Sequence, residues 1–458
     1  MKVEILSTIF YFLIIIGILA LVHEFGHFIT ARLTGMRAEV FAIGFGPRLF
    51  GYNKINKFTF GKLKDEIELG QNTDYRICAF PIGGFVKISG MIDESMDKST
   101  VSSVPQPWEY RSKPIWKRTI VITAGVLMNF LLGFLIFYAI NILKGKDIID
   151  TTTIGYVEKN SLSEAAGLKE KDRIISINKE TISNWQDINQ AFINYYGEDI
   201  NFRINRNGKD TLLFLPSQSF ATVSDPMNFG LKPDSTLIVI RDVLSGKPAE
   251  ASGIKPLDLL IKVNGETIKN QNYLSELIRS NAGKVCIFEY ERDGIRHTTD
   301  IKVGEDSLIG IVYGETYLGN IKNIKYGILS AVPETIGDMY RFIALTLESL
   351  YKIIKGDIPF RKAVGGPVKI AQFSAKSAEG GFFPFMQFLA WLSITLAIFN
   401  ILPFPALDGG HFIVLMYEAV FRKPIPNKVQ ITIQYIGMIF LLAFMLFVIY
   451  NDIITSIK

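Results

Sequence analysis

The sequence has few of the residues on which many secreted or nucleic-acid-binding proteins depend. Only two of its 458 residues are cysteines, Cys78 and Cys286, which excludes a disulfide framework. Charged residues make up 20% of the chain, the net charge is +5 and no Lys/Arg-rich run is present, so a nucleic-acid partner is not expected. Histidine is scarce too, with four residues. In contrast, 48% of the residues are hydrophobic and 34 are phenylalanine, more than an ordinary soluble protein carries.

Four apolar segments are predicted to span a membrane, because each approaches the roughly 20 residues needed to cross the hydrocarbon core. They run from about Ile5 to Val22, Ile120 to Leu143, Phe382 to Ile401 and Ile431 to Tyr450. The first follows Lys2 and therefore also has the pattern of a signal peptide, but no clear small-x-small cleavage site comes after it. We therefore expect a polytopic α-helical membrane protein.

The basic residues near the span ends predict the orientation, since cytoplasmic loops carry the excess of Lys and Arg. Both the loop between spans one and two and the loop between spans three and four are basic. The residues are Arg32, Arg37, Arg48, Lys54, Lys57, Arg111, Lys113, Lys117 and Arg118 in the former and Arg422, Lys423 and Lys428 in the latter. Both loops are therefore predicted to be cytoplasmic. Both termini and the long stretch between spans two and three are predicted to be extracytoplasmic.

That long stretch contains an internal repeat. Residues 154–188 and 243–277 share a strand pattern, an S/A-E-A-A/S-G-L/I segment and a K-x-x-D-x-I/L-I-x-I/V-N-x-E-T-I segment. The repeat resembles a pair of circularly permuted PDZ domains of the kind found in bacterial proteases. PDZ domains bind peptides by adding them as a strand to a sheet edge, so peptide ligands are implied. The alternative is that the pair acts as a spacer or steric filter.

After the repeat, residues 335–354 place Met339, Phe342, Ile343, Leu347 and Leu350 at helical spacing, with charged residues elsewhere on the wheel. Charges in the middle of a helix make a span costly. We expect an amphipathic helix in the outer membrane interface. The alternative is that its apolar face packs against the PDZ pair.

The segment with the candidate catalytic residues is HEFGH. It lies at the C-terminal end of the first span, which is the end predicted to face the cytoplasm. His23 and His27 are four residues apart and share one helix face, so both can bind one metal ion, and Glu24 is placed to take a proton from an attacking water. Catalytic zinc takes three protein ligands. Two candidates for the third, Asp408 and His411, lie in NILPFPALDGGH at the end of the third span. The prolines in this segment must end or unwind the helix.

HEFGH in a first span, followed by N-x-x-P-x-P-x-L-D-G at the end of a later one, resembles the site-2 protease family of intramembrane zinc metalloproteases. The tandem PDZ domains and four spans narrow the resemblance to the bacterial regulator-of-sigma-E protease group. It implies that Asp408 is the third zinc ligand beside His23 and His27. From the residues alone, His411 stays the alternative ligand. The resemblance further implies that Glu24 is the general base and that Asn400 holds the substrate backbone or the oxyanion of the transition state.

Two further segments belong to the same resemblance. Residues 83–90 resemble a membrane-reentrant β-hairpin that could present an unwound substrate to the zinc; the alternative is an ordinary cytoplasmic hairpin. Residues 365–371 resemble a family segment that precedes the third span, and the sequence predicts no more than a turn there. The implied substrates are single-span membrane proteins, namely anti-sigma factors or remnant signal peptides.

Two other functions fit parts of the sequence. A zinc or peptide transporter would need more spans and usually inverted repeats, and an inactive PDZ scaffold would not need an intact HEFGH and LDG. The sequence therefore predicts a zinc endopeptidase of the bacterial inner membrane, in contact with membrane lipid, with extracytoplasmic PDZ domains and a zinc site near the cytoplasmic side.

The expected parts are a first transmembrane helix (1–32), a cytoplasmic and membrane-reentrant β region (33–114), a second helix (115–144), PDZ domains (151–220 and 226–306), an interfacial amphipathic region (307–381), a third helix with the second motif (382–411) and a fourth helix (429–452).

Overall fold

The structure, a computed structural model, describes residues 2–63, 70–91, 104–221, 229–356 and 365–457. The chain forms two compact units. One consists of Met1–Gly145 together with Lys325–Lys458, and the other of Lys146–Ile324. The inserted unit therefore corresponds to the stretch in which the sequence repeat was found.

The first unit begins with a long helix, α1 (Lys2–Leu33), and a three-stranded antiparallel sheet of β1 (Ala38–Asn53), β2 (Lys57–Phe60) and β3 (Asp74–Ile88). A second long helix, α2 (Ile115–Leu143), follows. Helices α1 and α2 approach closely, because a Cβ on Gly26 would lie only 2.5 Å from the carbonyl oxygen of Ala124. Small residues at such a contact are typical of helix pairs in membranes.

Strand β3 bends around β1 and pairs with it twice. Phe41 of β1, for example, is paired with Val86 on one side and with Tyr75 on the other. The bend includes Gly83, whose φ of +86° is available to glycine at little cost. Within the described residues, 84–88 thus form an outer strand of this sheet. The segment predicted as a hairpin is one edge strand that pairs with β1, not a hairpin closed on itself.

The second unit consists of short strands and helices in two successive sets. The first set is β4 (Lys146–Ile149), β5 (Ile154–Val157), α3 (Leu162–Ala165), β6 (Arg173–Ile177), β7 (Glu180–Thr181), α4 (Trp185–Asn194), β8 (Ile200–Arg206), β9 (Lys209–Leu215) and β10 (Leu231–Pro233). The second is β11 (Thr236–Val243), α5 (Pro248–Ala251), β12 (Leu259–Val263), β13 (Glu266–Thr267), α6 (Gln271–Ser280), β14 (Val285–Arg292), β15 (Ile295–Lys302), β16 (Ile311–Tyr317) and β17 (Ile321–Ile324).

The two sets repeat each other in detail. In the first, Arg206 of β8 pairs with the buried Asp172 at 2.7 Å and donates to the carbonyl oxygen of Gly167. In the second, Arg292 pairs with the buried Asp258 at 2.6 Å and donates to the carbonyl oxygen of Gly253. Each set also encloses its own hydrophobic core. The sequence repeat is therefore a structural repeat.

The chain enters and leaves the second unit along one short ribbon. Strands β4 and β17 pair antiparallel from Ile149 opposite Ile321 to Lys146 opposite Ile324. The N–H of Asp150 also donates to the carbonyl oxygen of Asn320 at 2.9 Å.

Among the described residues, five more helices complete the first unit. They are α7 (Ala331–Lys355), α8 (Pro367–Glu379), α9 (Phe382–Ile401), α10 (Asp408–Phe421) and α11 (Asn427–Ile457). Within the described part of the chain, four helices are long and apolar enough to cross a membrane, at Ile5–Leu33, Ile115–Leu143, Phe382–Ile401 and Lys428–Asp452. These are the four segments that the sequence predicts as spans.

The predicted amphipathic helix is α7, and it uses its apolar face in a way that the sequence did not predict. Met339, Phe342 and Ile343 pack on the buried core shared by α1, α2 and α9, and the Phe342 ring stacks on Trp391 at 6.1 Å between centroids. The amide of Asn141 at the end of α2 donates to Thr335 of α7 at 3.1 Å. Helix α7 therefore packs on helices of its own unit that are apolar enough to span a membrane.

Residues 365–371, for which the sequence predicts only a turn, have a structural role at the start of α8. The N–H groups of Gly366 and Lys369 donate to the carboxylate of Asp452 at 3.1 and 3.2 Å. Asp452 belongs to α11 and is fully buried. A carboxylate at a helix N-terminus satisfies free N–H groups and faces the positive end of the helix dipole. The segment therefore joins α8 to the last turns of α11.

Candidate metal centre

The helical spacing of the HEFGH segment brings its two histidines together on one face of α1. The Nε2 atoms of His23 and His27 are 3.2 Å apart. Their side chains are 12% and 10% exposed. Two imidazole nitrogens this close, on one helical turn and turned toward α2, have the arrangement that the sequence predicts for a pair of metal ligands.

The third residue of this cluster comes from the other end of the chain. Helix α9 ends at Ile401, before Pro403 and Pro405, and α10 begins at Asp408. Asp408 Oδ2 lies 3.2 Å from Nε2 of His23 and 3.5 Å from Nε2 of His27. Among the described residues, His23, His27 and Asp408 form a group that can hold a metal ion, with their ligand atoms within 4.8 Å of one another.

The distances within this group fit zinc. A tetrahedral zinc ion with ligands at about 2.0–2.1 Å holds its ligand atoms about 3.3 Å apart, and the three observed separations are 3.2, 3.2 and 3.5 Å. Asp408 Oδ2 is buried and lacks a hydrogen-bond partner of ordinary geometry in the described part of the chain. Two imidazoles and a carboxylate are also ligands that zinc accepts. The residues present therefore fit the predicted ion.

Helix α2 supports both imidazoles. Nδ1 of His27 lies 2.8 Å from the carbonyl oxygen of Val121, which can only accept, so Nδ1 carries the proton and Nε2 keeps its lone pair for a metal. Nδ1 of His23 lies 3.1 Å from the side-chain amide of the fully buried Asn129. The amide atom nearest to Nδ1 is Nδ2 of Asn129, and Oδ1 of Asn129 lacks a hydrogen-bond partner among the described residues. Exchanging the two amide atoms lets Oδ1 accept from the Nδ1–H of His23, and His23 then also presents its Nε2 lone pair.

Gly125 of α2 gives the two rings the space that they occupy. A Cβ on this residue would lie 2.6 Å from Cε1 and 2.8 Å from Nε2 of His23, and would also overlap Nε2 of His27. Only glycine leaves this volume free. Sequence reasoning identified neither Gly125 nor Asn129, because neither residue type by itself indicates a metal site.

Glu24 lies between the histidines and the edge strand of the sheet. The backbone N–H of Val86 donates to its carboxylate, and a Cβ on Gly84 would lie 3.5 Å from its Cγ. Glu24 is not a member of the group that can hold the ion. The structure therefore places the predicted base beside the strand 84–88.

The remaining sequence-predicted residues lie nearby in the chain. Asn400 is in the last turn of α9 and is half-buried. His411 is one turn after Asp408, and its Nε2 lies 3.2 Å from the side-chain amide of Gln434, whose oxygen accepts from the N–H of Ala406 at 2.7 Å. His411 is outside the group of three ligands. The roles assigned to Asn400 and to the three ligands stay predictions.

The chain is similar to known proteases over almost its whole length. It is 28% identical to Protease RseP of Yersinia pestis, over 98% of this chain and 99% of that protein. It is also 28% identical to Regulator of sigma-E protease RseP of Escherichia coli strain K12, over 96% and 97%. A solved PDZ domain of an SdrC-like protein from Listeria monocytogenes matches 17% of this chain and 85% of that structure, with 21% identity and a TM-score of 0.16.

The family model described as Peptidase family M50 matches residues 11–444. This range contains both HEFGH and the N-x-x-P-x-P-x-L-D-G segment, which were the basis of the predicted resemblance. The resemblance to the site-2 proteases is confirmed: the chain is a metalloprotease that belongs to peptidase family M50.

Proposed function

We propose that this protein is an intramembrane zinc endopeptidase that hydrolyses peptide bonds within the transmembrane segments of single-span proteins. The observation that carries the proposal is the convergence of His23, His27 and Asp408 beside Glu24. HEFGH lies on the last turns of a helix apolar enough to span a membrane. Ionisable residues in such a helix are costly, and by default they are functional.

Different residues of the chain are proposed to have different roles in the hydrolysis. His23, His27 and Asp408 would hold the ion, and the bound ion would supply a Lewis acid that polarises the scissile carbonyl and acidifies water. Glu24 accepts the proton of the attacking water and returns it to the leaving amine. The Val86 N–H holds the Glu24 carboxylate in place. Asn400 is proposed to bind the substrate backbone or the oxyanion.

The edge strand 84–88 could bind an unwound, extended segment of the substrate. A peptide bond inside a helix is shielded by the hydrogen bonds of that helix, so the substrate must become extended locally. Residues 84–88 form an outer strand beside Glu24. Addition of the substrate as the next strand of this sheet would hold it extended next to the base.

The substrate class follows from the relatives. Because similar proteins carry the name Regulator of sigma-E protease, we propose anti-sigma-factor-type membrane regulators as substrates, with remnant signal peptides as a second source of single spans. We further propose an inner-membrane location, four spans and two tandem extracytoplasmic PDZ domains that control substrate access. The zinc site would lie near the cytoplasmic side. The basic loops and the repeated unit support this topology.

The proposal is tested by separating metal binding from proteolysis. Glu24→Gln removes the base but no ligand, so the purified variant should keep its zinc and lose cleavage of a single-span substrate. His23→Ala should lose both. Equal loss of zinc in the two variants would show that Glu24 is a ligand and would refute its assignment as the base.

A further inference from the structure

A cavity is enclosed by helices α2 and α10 and the loops near them. Its volume is about 740 Å³. The walls include Ile115 and Arg118 in the first turns of α2, Leu415 and Glu418 in α10, and the segment after α10. The basic loops predict that this end of the helices is cytoplasmic. The proposed hydrolysis uses no side chain of this lining, although His411, the alternative ligand, forms part of the wall.

The cavity is strongly basic. Its described lining contains four cations, Arg111, Arg118, Arg422 and Lys423, and one carboxylate, Glu418. Glu418 is already bonded to Arg118, with 2.7 Å between Nη2 and Oε2. Glu418 therefore neutralises Arg118. Arg111 is bonded to Glu109, with 2.6 Å between Nε and Oε2, so Arg422 and Lys423 supply the positive excess of the lining.

Two details indicate that the cations serve a ligand. Nε of Arg118 is buried and lacks a hydrogen-bond acceptor among the residues that the structure describes, an arrangement that is costly unless something else accepts. Arg422 ends α10 with φ +53°. Glycine usually occupies this position at a helix end, because other residues are strained there. The strained residue here is an arginine, and it places its charge at the cavity.

The residues around the cavity are apolar and exposed. Residues next to the lining in sequence present large hydrophobic side chains, and Lys117 lies over the Trp116 ring at 5.4 Å, a pairing typical of a membrane interface. Trp116, Val420 and Phe421 are 60%, 69% and 60% exposed. A ligand that suits both surfaces has an anionic headgroup and apolar chains.

We propose that this cavity binds the phosphate headgroup of an anionic phospholipid at the membrane surface. The phosphate oxygens accept hydrogen bonds from the Arg118 and Arg422 guanidinium groups and lie close to the Lys423 ammonium. Basic pockets between membrane helices bind such headgroups. The bound lipid joins the start of α2, which supports His23 and His27, to α10, which carries Asp408.

The test compares lipid binding by the purified full-length chain and two matched double variants. Arg422→Gln/Lys423→Gln removes two exposed charges from the cavity. Lys54→Gln/Lys57→Gln removes two exposed charges from another loop predicted to be cytoplasmic, and Lys57, like Arg422, has positive φ. Bound phosphatidylglycerol and phosphatidylcholine of equal chain length are counted by native mass spectrometry as each is titrated.

The wild-type chain should retain phosphatidylglycerol in preference to phosphatidylcholine. The cavity variant should bind phosphatidylglycerol roughly ten- to thirtyfold more weakly, and the Lys54/Lys57 variant should bind like the wild type. Failure of excess inorganic phosphate to displace the lipid would support the lipid as the ligand, whereas displacement would support the phosphate site and assign it to a soluble anion. Equal binding by the wild type and the cavity variant would overturn the proposal, as would displacement of the lipid by a peptide carboxylate but not by phosphate.

Discussion

Gly125 is a position at which one added carbon atom tests the geometry of the metal centre. A Cβ there would lie 2.6 Å from Cε1 and 2.8 Å from Nε2 of His23. Ordinary van der Waals contact begins at 3.4 Å. Gly125→Ala therefore requires the His23 ring to move by about 0.6–0.8 Å, the difference between these distances, and the His27 ring to move as well, unless helix α2 moves away from both. Zinc sites tolerate only about 0.2 Å in their ligand distances. The substitution should therefore disrupt the site.

The expected loss is large. Removing the hydrogen-bond partner of a metal-binding imidazole lowers metal affinity about 10- to 100-fold, and Gly125→Ala moves the ligand itself. We expect zinc affinity to fall roughly 100-fold, and cleavage of a single-span substrate to fall by a similar factor. Alanine favours a helix interior over glycine by about 1 kcal/mol, so the local helix should remain intact.

The assay measures zinc retained against a competing chelator, together with cleavage. Gly133→Ala in the same helix is the control, because a Cβ there would meet Cγ1 and Cδ1 of Ile394 at 2.6 and 3.0 Å, an overlap with an apolar residue and not with the metal group. The control should keep its zinc and most of its activity. If Gly125→Ala behaves like Gly133→Ala, His23 and His27 do not bind the ion in the positions that the structure gives their rings.

Two further predictions concern the third ligand and the repeated unit. Asp408→Asn should lower zinc affinity far more than His411→Ala, because only Asp408 lies in the group of three; greater zinc loss in His411→Ala would reverse this assignment. Replacing residues 151–319 by an Asn-Gly turn should close β4 and β17 into a hairpin, since Asp150 and Asn320 are already bonded. A size filter predicts that this variant cuts short substrates normally and gains substrates with bulky outer domains, whereas a docking role predicts slower cleavage of native substrates only. Loss of all cleavage in a zinc-loaded, inserted variant would contradict both.

The parts of the site that were predictable are those in which residue type and local spacing carry the signal. His23, Glu24 and His27 fall within five residues, and the helical repeat alone places the two histidines together. Asp408 was one of two open candidates until the family resemblance favoured it. The prolines at 403 and 405 predicted the helix break that precedes it, and the structure ends α9 at Ile401.

What the sequence could not predict are contacts between residues far apart in the chain. Val121 and Asn129 bond the histidines across 94 and 106 positions, and Gly125 acts by lacking a side chain. The sequence predicted the apolar face of α7 but not the helices against which that face packs. Asp452 offered one usable signal, a carboxylate near the end of an apolar span. Its bonds to Gly366 and Lys369, across 86 and 83 positions, needed the fold.

The most direct test of the central claim is the position at which the purified, zinc-loaded protein cuts a single-span membrane protein. Mass spectrometry of the products identifies the broken peptide bond. Our account predicts a cut inside the apolar segment, abolished by Glu24→Gln, abolished by a zinc chelator and restored by added zinc. Cuts only in the flanking soluble regions, or undiminished cutting by Glu24→Gln, would contradict it.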